Sequence, residues 1–184
     1  MEENRLREIQ VETEDIFDGV ILNVKRDQVR LPNGHQSVRE VIRHVGAVCV
    51  VPVTEDGRVV VERQYRYPID QVITEIPAGK LDSAQEDPLD CAKRELSEET
   101  GLSAAHWQKL TCMETTPGFC NERIHLYLAT GLQQGATHPD EDEFVATSRL
   151  PLRDAVQCVM DGTFRDGKTC LGILMAAQAL SCSN

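Results

Sequence analysis

Residues 79–102 read GKLDSAQEDPLDCAKRELSEETGL, and the second half of this stretch carries the marks of a helix. Asp87 suits the N-cap, where a carboxylate accepts orphan backbone N–H groups. Pro88 suits the first helical position, whose N–H would have no intrahelical partner. Gly101 stands where a chain leaving a helix turns left-handed. Leu89, Ala92 and Leu96 recur at helical spacing and make a stripe for the core. Glu95, Glu98 and Glu99 fall at i, i+3 and i+4, so three carboxylates leave one side of the same helix. Like charges so spaced repel by about a few tenths of a kcal/mol per pair on an exposed helix. A divalent cation relieves that repulsion, and oxygen-only ligands suit Mg²⁺ or Mn²⁺ rather than zinc. The plainer alternative is a solvated acidic face on which Arg94 pairs with Glu98 one turn on.

The chain has 184 residues, enough for one domain with a real core and a small extra element. Its formal net charge of −11 argues against nucleic-acid backbones or anionic membranes as partners. The same charge disfavours a phosphate-bearing substrate unless a divalent metal bridges the two anions. The opening MEENRLREIQ is charged, and no apolar run approaches membrane-spanning length, so a cytoplasmic location is expected. Seven cysteines with no C-x-x-C pair are expected to be reduced and mostly buried, without zinc or disulfides. The histidines are scattered, with no ligand-like partner one turn away.

In chain order, residues 1–11 are expected to be a loose or helical lead-in. Two extended runs, VILNVKRDQVRL and HQSVREVIRH, flank Asn33-Gly34, the strongest short hairpin signal. They predict a separate antiparallel hairpin unit over residues 1–44, ahead of a main domain over residues 45–184. A lone hairpin is marginal in water, so this one should pack on something, and a second copy of the chain is the expected partner. The β-branched run VGAVCVVPV at residues 45–53 predicts a buried strand, and RVVVERQYR at residues 58–66 a strand returning after a turn. Short strands are expected over residues 72–76 and 144–147, and longer ones over 106–115 and 123–130. Helices are expected near residues 152–160 and 169–180, with Pro151 in the first turn of the former. Strands on both sides of a central helix predict a mixed α/β sandwich.

Residues 162–169, GTFRDGKT, satisfy the phosphate-loop pattern G-x-x-x-x-G-K-[ST]. That mechanism needs a strand leading into the loop, and the preceding LRDAVQCVMD is patterned as helix, so the match reads as a helix–turn–helix connection. Arg63 and Arg66 end a strand just before residues 79–102. Arg66 reads evenly as a solvated strand end or as a bidentate phosphate ligand, while Arg63 reads as a rim arginine. TPGFCNE at residues 116–122 is a loop by composition. Residues 140–143, DEDE, are an acidic loop without the glycine of an EF-hand.

The whole stretch resembles the signature of the Nudix hydrolases: a glycine, a spacer, a glutamate, seven residues, then R-E-apolar-x-E-E-x-G-apolar. Gly79 opens it, Glu86 is the lone glutamate, and RELSEETGL at residues 94–102 closes it at every fixed position. The spacer from Gly79 to Glu86 holds six residues, one more than the family pattern. Beyond the signature, LPNG, VREVIRHVGAV, RQYR, EIPAGKLD, TPGF and DEDEF resemble the ADP-ribose pyrophosphatase branch over nearly the whole length. Pro117, sixteen residues after Gly101, resembles a spacing associated with ADP-ribose, though related GDP-mannose pyrophosphatases share much of this layout.

That resemblance implies a Nudix α/β/α sandwich with a mixed sheet, and a homodimer sharing its N-terminal hairpins. It implies that the Ala78 carbonyl, Glu95, Glu98 and Glu99 hold Mg²⁺, with Mn²⁺ as the alternative. Arg66, joined by Arg63 and Phe119, would meet the substrate, and Glu122 the substrate or the attacking water. Glu141 or Glu143 would be the base, with Glu98 also counted among the catalytic residues. The implied reaction splits the diphosphate of ADP-ribose, or of a related nucleoside diphosphate sugar such as GDP-mannose. A non-catalytic ADP-ribose-binding module is the rival from another class, and the crowded carboxylates speak against it.

Overall fold

The computed structural model describes residues 5–136 and 144–182. The chain divides into two compact units: Met1–Val45 with Glu114–Arg123, and Gly46–Met113 with Ile124–Asn184.

The smaller unit is a three-stranded antiparallel sheet in the order β1 (Ile9–Asp18), β2 (Asn23–Arg30), β3 (Gln36–Arg43). The expected hairpin is present as β2 and β3, and the expected loose or helical lead-in is corrected to a further strand, β1. Val20, Ile21 and Leu22, read as the start of a strand, belong instead to the β1–β2 turn, which the Gly19 N–H closes on the Leu22 carbonyl. The pairing of β1 with β2 slips at Val11 and again at Ile16, so two bulges break the period of two that would reveal a strand in sequence. The β2–β3 turn holds Asn33 and Gly34, and Gly34 takes the positive φ of 86° that the turn requires. Loop residues 119–121 lie alongside the end of β3. The Ile42 N–H donates to the Phe119 carbonyl at 2.7 Å, and the Asn121 N–H to the Ile42 carbonyl at 3.3 Å.

The larger unit has a four-stranded mixed sheet, β7 (Ala78–Lys80), β4 (Ala47–Pro52), β9 (Arg123–Gln134), β8 (Leu102–Glu114), with β9 parallel and β7 antiparallel to β4. It also has a three-stranded sheet, β10 (Val145–Pro151), β5 (Arg58–Arg66), β6 (Gln71–Glu75). The strands over residues 47–52 and 58–66 were expected to form a returning pair. They lie in different sheets and meet only at an isolated Val53–Val59 bridge.

Three helices complete the unit: α1 (Pro88–Thr100), α2 (Leu152–Met160) and α3 (Gly167–Ser181). Pro151 occupies the N-cap position of α2 rather than its first turn, and makes no side-chain capping bond. Side chains on β4 alternate between two cores. Val48 and Val50 join Ala92, Leu96, Tyr127 and Ala129 on the α1 side. Cys49 and Val51 join Leu126, Leu128, Ala155, Ile173 and Ala176 on the α2–α3 side. Both faces of β4 are therefore covered, which is why its sequence reads as a continuous apolar run. The result is the expected α/β/α layering around a mixed sheet.

All seven cysteines are free. The expectation that most are buried holds only for Cys49 and Cys91; Cys112 and Cys182 are exposed. Among the described residues, no helix is long and apolar enough to cross a membrane.

Candidate functional site

Helix α1 is fixed at both ends. Asp87 accepts from the Leu89 N–H at 2.8 Å and the Asp90 N–H at 3.3 Å. Gly101 exits at φ 67° and donates its N–H to the Ser97 carbonyl. Between these ends, packing of Cys91, Ala92 and Leu96 sets the rotation of the helix. That rotation brings Glu95 and Glu99 into the interior, with Glu98 beside them and half-buried. Two of the three carboxylates are thus not on a solvated face.

Arg94 joins this group. Its Nη1 donates to Glu95 Oε1 at 2.8 Å and to Glu98 Oε2 at 3.0 Å. Its Nη2 approaches Glu86 Oε1 at 3.5 Å and the Lys80 carbonyl at 3.4 Å. Burial opposes the charge on Arg94, but the neighbouring carboxylates, Glu95 first, outweigh it and push its pKa up. Glu86 also accepts from the Asp82 N–H at 2.6 Å, which folds the six-residue spacer into a tight turn and absorbs its extra residue. Cys91, packed under Arg94, is pushed up to about 12 by burial and stays a thiol.

The backbone of β7 closes on the same group. Glu99 Oε2 accepts the Ala78 N–H at 3.1 Å. A Cβ at Gly79 would overlap the Glu95 carboxyl group, so that carboxylate lies directly against the glycine backbone. Among the described residues, no three His, Cys, Asp or Glu side chains converge as a ready-made ion site. The physical reason is local: Arg94 bridges Glu95 and Glu98, while Glu99 is turned to the Ala78 N–H. The donors are nevertheless all oxygens, anionic, and partly withdrawn from water. That set fits a hard divalent cation taking over the charge that Arg94 balances.

The other expected residues are dispersed. Arg66 ends β5 and grips Glu75, Nε to Oε2 at 2.7 Å and Nη2 to Oε1 at 3.1 Å. Burial works against the Arg66 charge and Glu75 more than compensates, so its pKa is raised. Arg63 is exposed on the same strand. Phe119 and Glu122 belong to the smaller unit, where Phe119 is exposed and Glu122 Oε1 lies 3.6 Å from His44 Nδ1. Glu141 and Glu143 lie outside the described residues.

Sequence reasoning missed the buried Glu75 and its partnership with Lys168, which was read only as solvent-facing or structural. Glu75 is 2 % exposed and faces Glu62 across the β5–β6 pair. Lys168, the lysine of the phosphate-loop pattern, follows a helix and a turn rather than a strand. Its ammonium is ion-paired with Glu75 and with Asp166, the latter at 3.0 Å. The signal for Glu75 was its place in EIPAG, but nothing local ties residue 75 to residue 168.

Residues 43–168 match the model of the NUDIX domain, and residues 8–42 that of the nucleoside diphosphate sugar hydrolase N-terminal domain. The chain belongs to the Nudix family. It is 44% identical to a methanol dehydrogenase activator of Bacillus methanolicus over 89% of each chain. It is 41% identical to an ADP-ribose pyrophosphatase of Bacillus subtilis (strain 168) over 91% of each. It is 33% identical to a GDP-mannose pyrophosphatase of Yersinia enterocolitica over 78% of each. A crystal structure of an ADP compounds hydrolase superposes with a TM-score of 0.87 over 97% of both chains; at 21% identity this likeness bears on the fold.

Proposed function

We propose that the protein hydrolyses the diphosphate of ADP-ribose, or of a related nucleoside diphosphate sugar, giving AMP and ribose 5-phosphate from the former. The observation that carries this is the cluster of Glu95 and Glu98 on one guanidinium nitrogen, with Glu99 on the Ala78 N–H. A protein that only binds its ligand has no need of three crowded carboxylates on one helix. The ADP-ribose reading draws on the 41% identity to an ADP-ribose pyrophosphatase, against 33% to a GDP-mannose pyrophosphatase.

In this reading the Ala78 carbonyl and Glu95, Glu98 and Glu99 hold Mg²⁺, with Mn²⁺ as the alternative. When bound, such a metal supplies charge neutralisation and a more acidic water. Arg66 orients phosphate oxygens, with Arg63 and Phe119 further out on the substrate. Glu122 meets the substrate or the attacking water. Glu141 or Glu143 takes the water's proton as general base. Attack on one phosphorus breaks the P–O–P bond, and no covalent intermediate is needed. We place the protein in the cytoplasm and propose that it works as a homodimer through its smaller unit.

The test is turnover of ADP-ribose, GDP-mannose, NADH and diadenosine polyphosphates with Mg²⁺, then with EDTA. ADP-ribose should be turned over fastest, and EDTA should abolish the activity. Glu99→Gln should cut kcat by about 10²-fold or more, a loss of roughly 2.7 kcal/mol of transition-state stabilisation or greater, while its melting temperature stays near wild type. Turnover near wild type in that variant at saturating Mg²⁺ would remove Glu99 from the metal site.

A further inference from the structure

We propose that Glu75 and Lys168 are positioning residues for the substrate diphosphate: Glu75 fixes the Arg66 guanidinium, and Lys168 holds Glu75. The inference rests on the diphosphate-hydrolase reading above. Arg66 lays one edge of its guanidinium on a carboxylate that is 2 % exposed, while its own side chain is 40% exposed. A fork of this kind fixes both the plane and the direction of the group. It engages two of the five guanidinium N–H groups, and the remaining edge can meet a phosphate. Glu75 ends β6, and Ala78 lies three residues further along the chain. That separation spans on the order of 10 Å of extended backbone. Arg66 is therefore anchored on the same short segment, residues 75–78, that carries the carbonyl assigned to the metal.

Lys168 makes that anchor useful. Arg66, Glu75, Lys168 and Asp166 together sum to zero charge, so what Lys168 supplies is a fixed carboxylate under Arg66 and not extra positive charge. The Lys168 ammonium sits on the same Glu75 oxygen that Arg66 Nη2 uses. Lys168 is held in turn by Asp166, which accepts the Thr169 N–H at 2.9 Å and the Thr169 hydroxyl at 2.6 Å. Signs alternate from the positive N-terminal end of α3 outward through Asp166, Lys168 and Glu75 to Arg66. Buried ion pairs contribute little net stability compared with apolar packing, so orientation is the effect to look for. The lysine that matches a phosphate-loop pattern would then serve a phosphate at one remove, through a carboxylate and an arginine.

The experiment uses the full-length protein and steady-state hydrolysis of ADP-ribose with Mg²⁺. A wild type inactive on every diphosphate tested overturns the underlying reading, and this inference with it. With an active wild type, Lys168→Met should raise KM roughly ten- to a hundredfold, the worth of one charge-assisted hydrogen bond, with kcat within about threefold. Lys168→Arg should restore most of the loss. On an Arg66→Met background, Lys168→Met should add nothing further, because its effect acts through Arg66. If Lys168→Met does not fold, the nearly isosteric Glu75→Gln carries the same test and should raise KM likewise. An unchanged KM in the folded variant overturns the inference. So does a loss confined to kcat, a full additional loss on the Arg66→Met background, or tighter binding in Glu75→Gln.

Discussion

Gly79 shows how one missing side chain can serve chemistry rather than folding. The atoms a Cβ would strike there are the Glu95 carboxyl group, the far end of a flexible side chain and not backbone. Gly79→Ala can therefore be accommodated by swinging Glu95 aside. That relieves the clash cheaply but moves a proposed metal ligand and loosens the Arg94 contact made by Glu95 at 2.8 Å. The variant should stay within about 1 kcal/mol of wild type in stability, a shift of roughly 2–4 °C in melting temperature. Its apparent Mg²⁺ affinity in the hydrolysis assay should fall by about tenfold or more, since a displaced ligand costs on the scale of a lost charged contact. A large fall in melting temperature with unchanged metal dependence would mean that Gly79 matters for packing and not for Glu95. Arg94 carries a related lesson. Its pairing with Glu98 is readable from their i, i+4 spacing, whereas its contacts with Glu86 and the Lys80 carbonyl depend on the turn over residues 82–86.

Helix α3 can be tested through its cap. Asp166 holds the Thr169 N–H and hydroxyl and pairs with Lys168. Burial works against ionising Asp166, but Lys168 and the Thr169 bonds prevail, so its pKa lies below the ordinary carboxylate value. Burial likewise works against charging Lys168, but Asp166 and Glu75 prevail, so its pKa is raised. A depressed carboxylate stabilises the fold above its unfolded pKa, about 3.9, and that contribution fades as pH falls through the folded value. A raised lysine stabilises below its unfolded pKa, about 10.4, and its contribution fades as pH rises through the folded value. The pair should thus contribute fully from about pH 4 to pH 10. Asp166→Ala should cost roughly 2–3 kcal/mol at neutral pH in urea unfolding, about one for the lost cap and the rest for the exposed imbalance at Lys168. Asp166→Asn keeps an acceptor for the cap, and its stability should fall less steeply below pH 4 than that of wild type. Identical acid limbs would show that Asp166 does not titrate against Lys168.

α1 begins and ends where Asp87, Pro88 and Gly101 say, because capping is local chemistry. β1 was missed because the bulges at Val11 and Ile16 break its alternation. The move of the chain between sheets after residue 53 was missed because a turn signal marks a reversal without saying which sheet receives it. The Glu75–Lys168 pair was beyond reach because 93 residues separate its members.

At the scale of the whole molecule, the smaller unit poses the question of what covers it. Among the described residues, eleven of the eighteen exposed large hydrophobics lie in this unit, including Ile9, Val11, Phe17, Val20 and Ile21. Every residue of β1 is exposed. A small sheet is marginal in water unless an apolar face is buried, and apolar area concentrated in this way marks an interaction surface. The net charge of −11 works against self-association at long range, but it is screened within about 8 Å at physiological ionic strength. Short-range apolar burial can then prevail, at roughly 25 cal/mol per Å² covered. In the proposed homodimer this surface meets its own copy. Light scattering after size-exclusion chromatography should report the mass of two chains. Phe17→Asp combined with Val11→Asp should shift the protein to the mass of one chain and lower its melting temperature, because the uncovered sheet then faces water alone. The core of the larger unit is untouched by these changes, so its circular-dichroism signature should survive at low temperature. If wild type and variant both run as single chains with equal melting temperatures, the exposed face of β1 is not where two copies meet.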